Sequence, residues 1–147
     1  MAAINSGDKN RAPFAGEQGN VSAWDGYYKM PAAGTIGDTI DLFEVPAGAK
    51  ISEIAEVHSA HGGTAAMVIG WKYKDGSAGG SASALKASAS TVAAGNSVVA
   101  LSPLALFGAS AGVVDKPIIV YVTNSGSAIP LNGEVYVKAT GEYYGLK

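Results

Sequence analysis

The sequence predicts an all-β protein, an antiparallel β-sandwich of jelly-roll type with about eight strands and an extended N-terminal arm. Three observations predict it. Apolar residues alternate with a period of two in several segments, as in Thr64 to Tyr73, where Ala65, Met67, Ile69, Trp71 and Tyr73 share one face and Ala66, Val68, Gly70 and Lys72 the other. Turn signals such as Asp75-Gly76 and Asn132-Gly133 separate these segments. No stretch of ten or more residues carries the apolar stripe of an amphipathic helix. Two sheets that bury each other's inner faces satisfy such a pattern.

Residues 1–19 are polar and beyond Met1 contain only Ile4 and Phe14 as large apolar side chains, so they read as an arm preceding a β domain at 20–147. Fully extended, an arm of this length reaches ~60 Å, against a domain radius of gyration of ~15 Å, and can cross onto a neighbouring molecule. The first strand is expected over Asn20 to Met30, with Gly26 marking a bulge. After a loop over Pro31 to Gly37, Asp38 to Val45 and Lys50 to about His58 read as strands reversing in a hairpin about the corner Pro46-Ala47-Gly48-Ala49. His61-Gly62-Gly63 turns the chain into the Thr64 to Tyr73 strand.

From Ser77 to Gly95 the chain is nearly all Ser, Ala and Gly. A structureless stretch of that length is unusual in a compact domain, and Ala82 to Ser90 alternates well enough to form a flat edge strand. Val98 to Leu101 is a short apolar segment, Pro103 to Phe107 a bend or helical turn, and Gly108 to Gly112 a small-residue loop. Pro117 to Asn124 and Gly133 to Tyr144 alternate strongly and complete the strands. Of the residues counted as hydrophobic, 26 are Ala, many of them in the small-residue stretches, so the core is expected to rest on Val, Ile, Leu and the aromatic residues.

Composition narrows the function. A formal charge of −2 gives no basic field for nucleic acid or an anionic membrane, so neither partner is expected. No cysteine is present, which removes disulfides, thiolate nucleophiles and Cys-ligated metals and permits assembly in a reducing cytoplasm. The N-terminus lacks the basic start and apolar run of a signal peptide, and no segment approaches the ~20 apolar residues of a membrane span, so a soluble chain not exported by the general route is expected.

Catalytic patterns fail on their own requirements. Gly108-Ala109-Ser110-Ala111-Gly112 matches G-x-S-x-G, but both histidines precede Ser110 and no helix follows, so the match is compositional. His58 and His61 lie just beyond Glu53 and Glu56, but without a third histidine or a cysteine they read as polar residues around an exposed turn rather than as metal ligands; protonation near pH ~6 altering a subunit contact is the more natural role. The six Asp and six Glu are scattered over turns and exposed strand positions, and no Gly-Lys dipeptide offers a phosphate loop. No enzymatic activity, cofactor or metal is expected. The remaining features are the aromatic residues, which on alternating strand positions suit core or subunit interface, with sugar stacking as the alternative.

The stretch Gly37-Asp-Thr-Ile-Asp-Leu-Phe-Glu-Val-Pro-Ala-Gly-Ala-Lys-Ile-Ser-Glu-Ile, the alternating Thr64 to Tyr73, and the closing pair Lys116-Pro-Ile-Ile-Val-Tyr-Val-Thr and Gly133-Glu-Val-Tyr-Val-Lys together resemble head decoration (cement) proteins of tailed bacteriophages, which have a jelly-roll-like β fold. The resemblance covers roughly residues 20 to 144 in layout. It implies a virion protein, made in the host cytoplasm, that binds the outer capsid surface and bridges major capsid subunits, often as a homotrimer. Lys9, Arg11 and Phe14 of the arm are the expected capsid contacts; Trp24, Tyr27, Tyr28, Trp71, Tyr143 and Tyr144 are the expected self-association residues. The alternative is a carbohydrate-binding β-sandwich module of a phage tail or fibre, with Trp24 or Trp71 stacking on sugar.

Overall fold

A computed structural model describes the backbone of residues 3–5 and residues 21–101 and 113–144 in full. The described residues form nine strands and no helix: β1 (Ala3–Asn5), β2 (Val21–Lys29), β3 (Thr39–Val45), β4 (Ala49–His58), β5 (Ala66–Tyr73), β6 (Ser81–Ser90), β7 (Gly95–Ala100), β8 (Ile118–Ser125) and β9 (Glu134–Tyr143). They make a five-stranded sheet in the order β1-β3-β8-β5-β6 and a four-stranded sheet in the order β2-β9-β4-β7.

The connectivity is that of a jelly roll. β2 pairs with β9, β3 with β8, β4 with β7 and β5 with β6, all antiparallel, so the eight strands nest as one long hairpin whose tip is β5–β6. Rolling that hairpin up adds the β4–β9 and β5–β8 ladders and leaves two sheets face to face. β1 stands outside this scheme and pairs parallel with β3.

The period-two segments place their apolar sides inward. Met67, Ile69 and Trp71 of β5, Ile118, Val120 and Val122 of β8, and Val135, Val137 and Ala139 of β9 are buried in one cluster. The core does rest on branched aliphatic and aromatic residues. β6 is the expected edge strand of Ser and Ala, pinned inward by Leu85; its ladder to β5 slips twice, so only part of it runs in register.

Two local expectations are corrected. Pro46-Ala47-Gly48 does reverse the chain, with Gly48 at φ 87° and Ala49 N–H donating to Pro46 O at 3.3 Å. It is not a hairpin, however: β3 lies in the five-stranded sheet and β4 in the four-stranded one, so the corner carries the chain across the sandwich. Gly26 is not a bulge either, because the β2–β9 register runs unbroken from Val21 to Lys29. Gly26 instead faces inward where the backbone of β3 comes close; a Cβ there would sit 2.8 Å from Leu42 O and 2.9 Å from Leu42 Cβ. The true bulges lie between Asp41 and Phe43 on β3 and between Ile51 and Glu53 on β4. Each explains a break in alternation: Leu42 and Phe43 are both buried, and Ile51 and Ile54 are both buried although three residues apart. The bend expected at Pro103 to Phe107 and the loop at Gly108 to Gly112 lie outside the described residues.

Candidate functional site

The outer face of the four-stranded sheet exposes several apolar and aromatic side chains. Registers across its ladders place Tyr27, Tyr136, Val57 and Asn96 in one row over β2, β9, β4 and β7, and Asp25, Lys138, Ala55 and Val98 in the next. Tyr27, Val57 and Val98 are 44%, 49% and 64% exposed. Two pairs of opposite charge stand on this face. Asp25 stands directly opposite Lys138, and Lys29 Nζ lies 3.8 Å from Glu134 Oε1, which also accepts a 2.8 Å hydrogen bond from Tyr27 Oη. The Glu134 carboxylate pushes the Tyr27 phenol above its ordinary value, so Tyr27 is a neutral donor at physiological pH. A face of tyrosine and small aliphatic side chains with such paired charges suits contact with another protein surface.

The outer face of the five-stranded sheet differs. Lys72 Nζ sits 2.7 Å from Asp41 Oδ1 and 5.3 Å from the centre of the Tyr121 ring, and Lys74 Nζ lies 2.7 Å from Glu44 Oε2. Burial, then the Asp41 charge, raises the Tyr121 phenol. The loop end beyond β5 carries a further exposed network: Asp75 accepts from the Ser77 backbone N–H at 2.8 Å and from Lys116 Nζ at 3.2 Å, and the Ser77 hydroxyl first, then the Ser77 N–H and Lys116, lower its carboxyl to about 2. Lys116 also lies over the Tyr73 ring, whose phenol donates to Asp115 at 2.9 Å.

A third site is buried. Glu56 on β4 points between the sheets at 1% exposure. Its Oε2 accepts from Lys86 Nζ on β6 and from Ser97 Oγ on β7 at 3.0 Å, so a single carboxylate ties three strands and both sheets. His58 Nε2 approaches Glu56 Oε1 at 3.7 Å while its Nδ1 pairs with Ser59 O at 2.9 Å. The His61 ring lies 5.6 Å from that of His58, with its own nitrogens near Thr91 Oγ1 at 3.1 Å and Glu134 O at 3.3 Å. Burial lowers the basicity of both His61 and Lys86. The expectation of an exposed turn is therefore corrected: both histidines are buried, His58 because Ile54, Glu56 and His58 alternate inward beyond the β4 bulge, and His61 against Thr91 and the Glu134 carbonyl. Among the described residues no group of three or more His, Cys, Asp or Glu side chains could hold a metal ion.

The expected self-association residues divide. Trp24 and Trp71 are 1% and 3% exposed and belong to the core, which corrects their assignment to a surface and removes them as sugar-stacking platforms. Tyr28 and Tyr143 are half-buried against the core. Tyr27 and Tyr144 are exposed, with Tyr144 Oη donating to Glu142, which raises its phenol. Lys9, Arg11 and Phe14 lie outside the described residues. Sequence reasoning missed Tyr136, Val57 and Val98 as partners of Tyr27; the outward alternation was present in each strand, but which strands lie side by side was not.

No family model matches the chain, and no curated protein matches it in sequence. Solved structures do match its fold. A chain described as "Cyanophage Pam1 capsid asymmetric unit" is similar with a TM-score of 0.57 and 17% identity, over 90% of this chain and 91% of that one. A chain described as "Capsid of Ralstonia phage GP4" is similar over 99% of this chain and 100% of that one, with a TM-score of 0.75 and 17% identity, so the two share the fold from end to end.

Proposed function

We propose that this chain is a structural virion protein that binds the outer surface of an assembled phage capsid and stabilises it by bridging major capsid subunits. The observation that carries the proposal is the end-to-end fold likeness to a chain of the Ralstonia phage GP4 capsid. Likeness over the full length of both chains means that the whole domain, not one shared motif, is built alike.

The surfaces support the reading. A balanced face of Tyr27, Tyr136, Val57 and Val98 can make a modest, polar-rimmed contact. Such contacts, repeated over a shell, add up by multivalency without each being strong. In this reading Lys9, Arg11 and Phe14 meet the major capsid protein, Tyr27 and Tyr144 with Tyr28 and Tyr143 behind them serve self-association as a homotrimer, and the protein resides on the capsid surface after synthesis in the host cytoplasm.

The test is co-sedimentation of the purified chain with expanded, mature shells of its major capsid protein, with unexpanded shells as the comparison. Saturable binding to mature shells is expected. Lys9→Ala, Arg11→Ala and Phe14→Ala combined should weaken it at least tenfold while leaving β1 in place. Absence of binding to either shell overturns the proposal.

A further inference from the structure

The buried pair of Glu56 and Lys86 carries an inference about covalent structure. Consecutive side chains of a strand point to opposite faces, yet Leu85 and Lys86 of β6 are both largely buried. The β5–β6 ladder accounts for this, because its register slips on either side of the Ile69–Lys86 pair. Lys86 Nζ thereby meets Glu56 Oε2 on the other sheet, and with the two side chains only 10% and 1% exposed the contact is nearly dry. Burial also lowers the basicity of Lys86, which favours the neutral amine, the form that carries a nucleophilic lone pair.

The two oxygens of Glu56 are held unequally. Oε2 accepts from Lys86 Nζ and from Ser97 Oγ, whereas Oε1 is buried with no hydrogen-bond partner. His58 Nε2 lies 3.7 Å from that Oε1. His58 Nδ1 is 2.9 Å from Ser59 O, and a carbonyl oxygen only accepts, so Nδ1 carries the hydrogen and the neutral ring turns the Nε2 lone pair towards Glu56. As an ion pair, the site keeps an unsatisfied oxygen out of water, which is costly. Condensation to an amide removes one oxygen and both charges.

We infer that Glu56 and Lys86 condense to an intramolecular isopeptide bond between Glu56 Cδ and Lys86 Nζ, which ties the two sheets together covalently. The ion pair is the reactant. A proton passes from the Lys86 ammonium to Glu56 Oε1, giving an amine beside a carboxylic acid. The Nζ lone pair forms the bond to Cδ, held in place by the fold rather than met by diffusion. His58 Nε2 takes a second proton from Nζ and delivers it to Oε1; the Cδ–Oε1 bond breaks and Oε1 leaves as water. Oε2 stays as the amide oxygen, still accepting from Ser97 Oγ. One ammonium and one carboxylate become one amide and one water, with no oxidant, so the bond is open to a chain without cysteine in a reducing compartment. Linked and unlinked molecules differ in mass, so the unlinked form, which holds the ion pair, can be followed by itself.

Intact mass spectrometry of the full chain, folded and then denatured, reads the bond. A species lighter than the sequence by one water is expected. Trypsin cuts only after unmodified lysine or arginine, so it should pass over Lys86 and release a branched peptide joining residues 51–72 to residues 75–116. Lys86→Arg keeps the charge, but its guanidinium stays protonated and does not attack, so this variant should keep its full mass. His58→Gln should leave a larger unlinked fraction than the parent chain. Full sequence mass in the folded parent chain overturns the bond. A loss of water that persists in Lys86→Arg, or that maps to Asp25-Gly26 or Asp75-Gly76, where an aspartate can cyclise onto the next backbone nitrogen, overturns it as well. An unchanged linked fraction in His58→Gln overturns the proton-carrying role of His58 and leaves the bond standing.

Discussion

The two flanks of the sandwich are closed by opposite means. On the β2/β3 flank the sheets meet by direct contact: Gly26 has no side chain, so the Leu42 backbone packs against it. On the β6/β7 flank they are tied by charge, with Glu56 of one sheet held by Lys86 of the other and by Ser97, and with His58 and His61 alongside. The connection from β6 to β7 is pinned there as well, since His61 N–H donates to Thr91 O, Gly62 N–H to Val92 O and Thr91 N–H to Ala65 O. Contact closure is insensitive to pH and depends on a volume. Ionic closure depends on each charge keeping its partner.

That difference sets the largest expected effect. Glu56→Ala leaves the Lys86 ammonium in a nearly dry site, and breaking one member of a buried pair costs about 3–5 kcal/mol. For a domain of this size the thermal midpoint should fall by roughly 10 °C. Replacing both partners, Glu56→Leu with Lys86→Met, removes the desolvation cost together with the attraction and should return the midpoint close to the original. Thermal unfolding of the three proteins checks this. If the double variant is as unstable as Glu56→Ala, the flank is held by shape rather than by charge and the contrast fails.

The contact flank should respond next most strongly. Gly26→Ala forces a methyl group into the Leu42 backbone, and strain of this kind costs about 1–3 kcal/mol. Its loss should be the same at pH 5 and pH 8, because the atoms that the added methyl group meets first all belong to Leu42, which does not titrate. A pH-dependent loss would show that the two flanks are coupled.

The ionic flank should carry a pH dependence of its own. Burial holds the basicity of His61 below its ordinary value, so the unfolded chain binds a proton at higher pH than the folded one. Stability contributed by neutral His61 is therefore complete above its unfolded value of about 6.5 and is lost as pH falls from there towards its folded value. One such group changes stability by at most about 1.4 kcal/mol per pH unit. Denaturant unfolding between pH 5 and 8 should show this slope, and His61→Gln should flatten it. An unchanged slope in that variant would assign the pH dependence to other groups.

How much of this was legible depends on the range of the signal. Alternation within one strand is local, and it marked β5, β8 and β9 and their buried faces correctly. Turn chemistry is local too, so Pro46-Ala47-Gly48 announced a reversal. It could not announce that β3 and β4 enter different sheets, because pairing partners are set by segments as distant as Ile118–Ser125 and Glu134–Tyr143. Gly26 failed for the same reason: its neighbour Leu42 is 16 residues on and in the other sheet. The burial of Glu56 and His58 did leave a trace, since the three-residue step from Ile51 to Ile54 marks a bulge, after which Glu56 and His58 fall on the inner side. The charge of Glu56 hid that phase, because an ionised side chain is expected outside unless its partner is known. Lys86, the partner, lies in the Ser/Ala-rich segment where alternation is weakest.

The smallest stability effect, and the one that separates architecture from function, belongs to the outer face of the four-stranded sheet. Tyr27→Ala and Val98→Asp alter side chains that are 44% and 64% exposed, so each should change folding stability by no more than about 0.5 kcal/mol. Tyr27 and Val98 stand in adjacent rows on opposite edge strands of that sheet, so a partner that covers the face meets both. If this face joins copies, each variant should shift sedimentation equilibrium towards monomer, Val98→Asp the more because it brings an unpaired carboxylate into an apolar contact. The Lys72–Asp41 face offers the internal comparison: Glu44→Ala there removes the half-buried partner of the exposed Lys74 and should leave association unchanged. Equal effects from both faces would mean that neither is the specific contact, and would move self-association to the edges of the sandwich, where β1 meets β3.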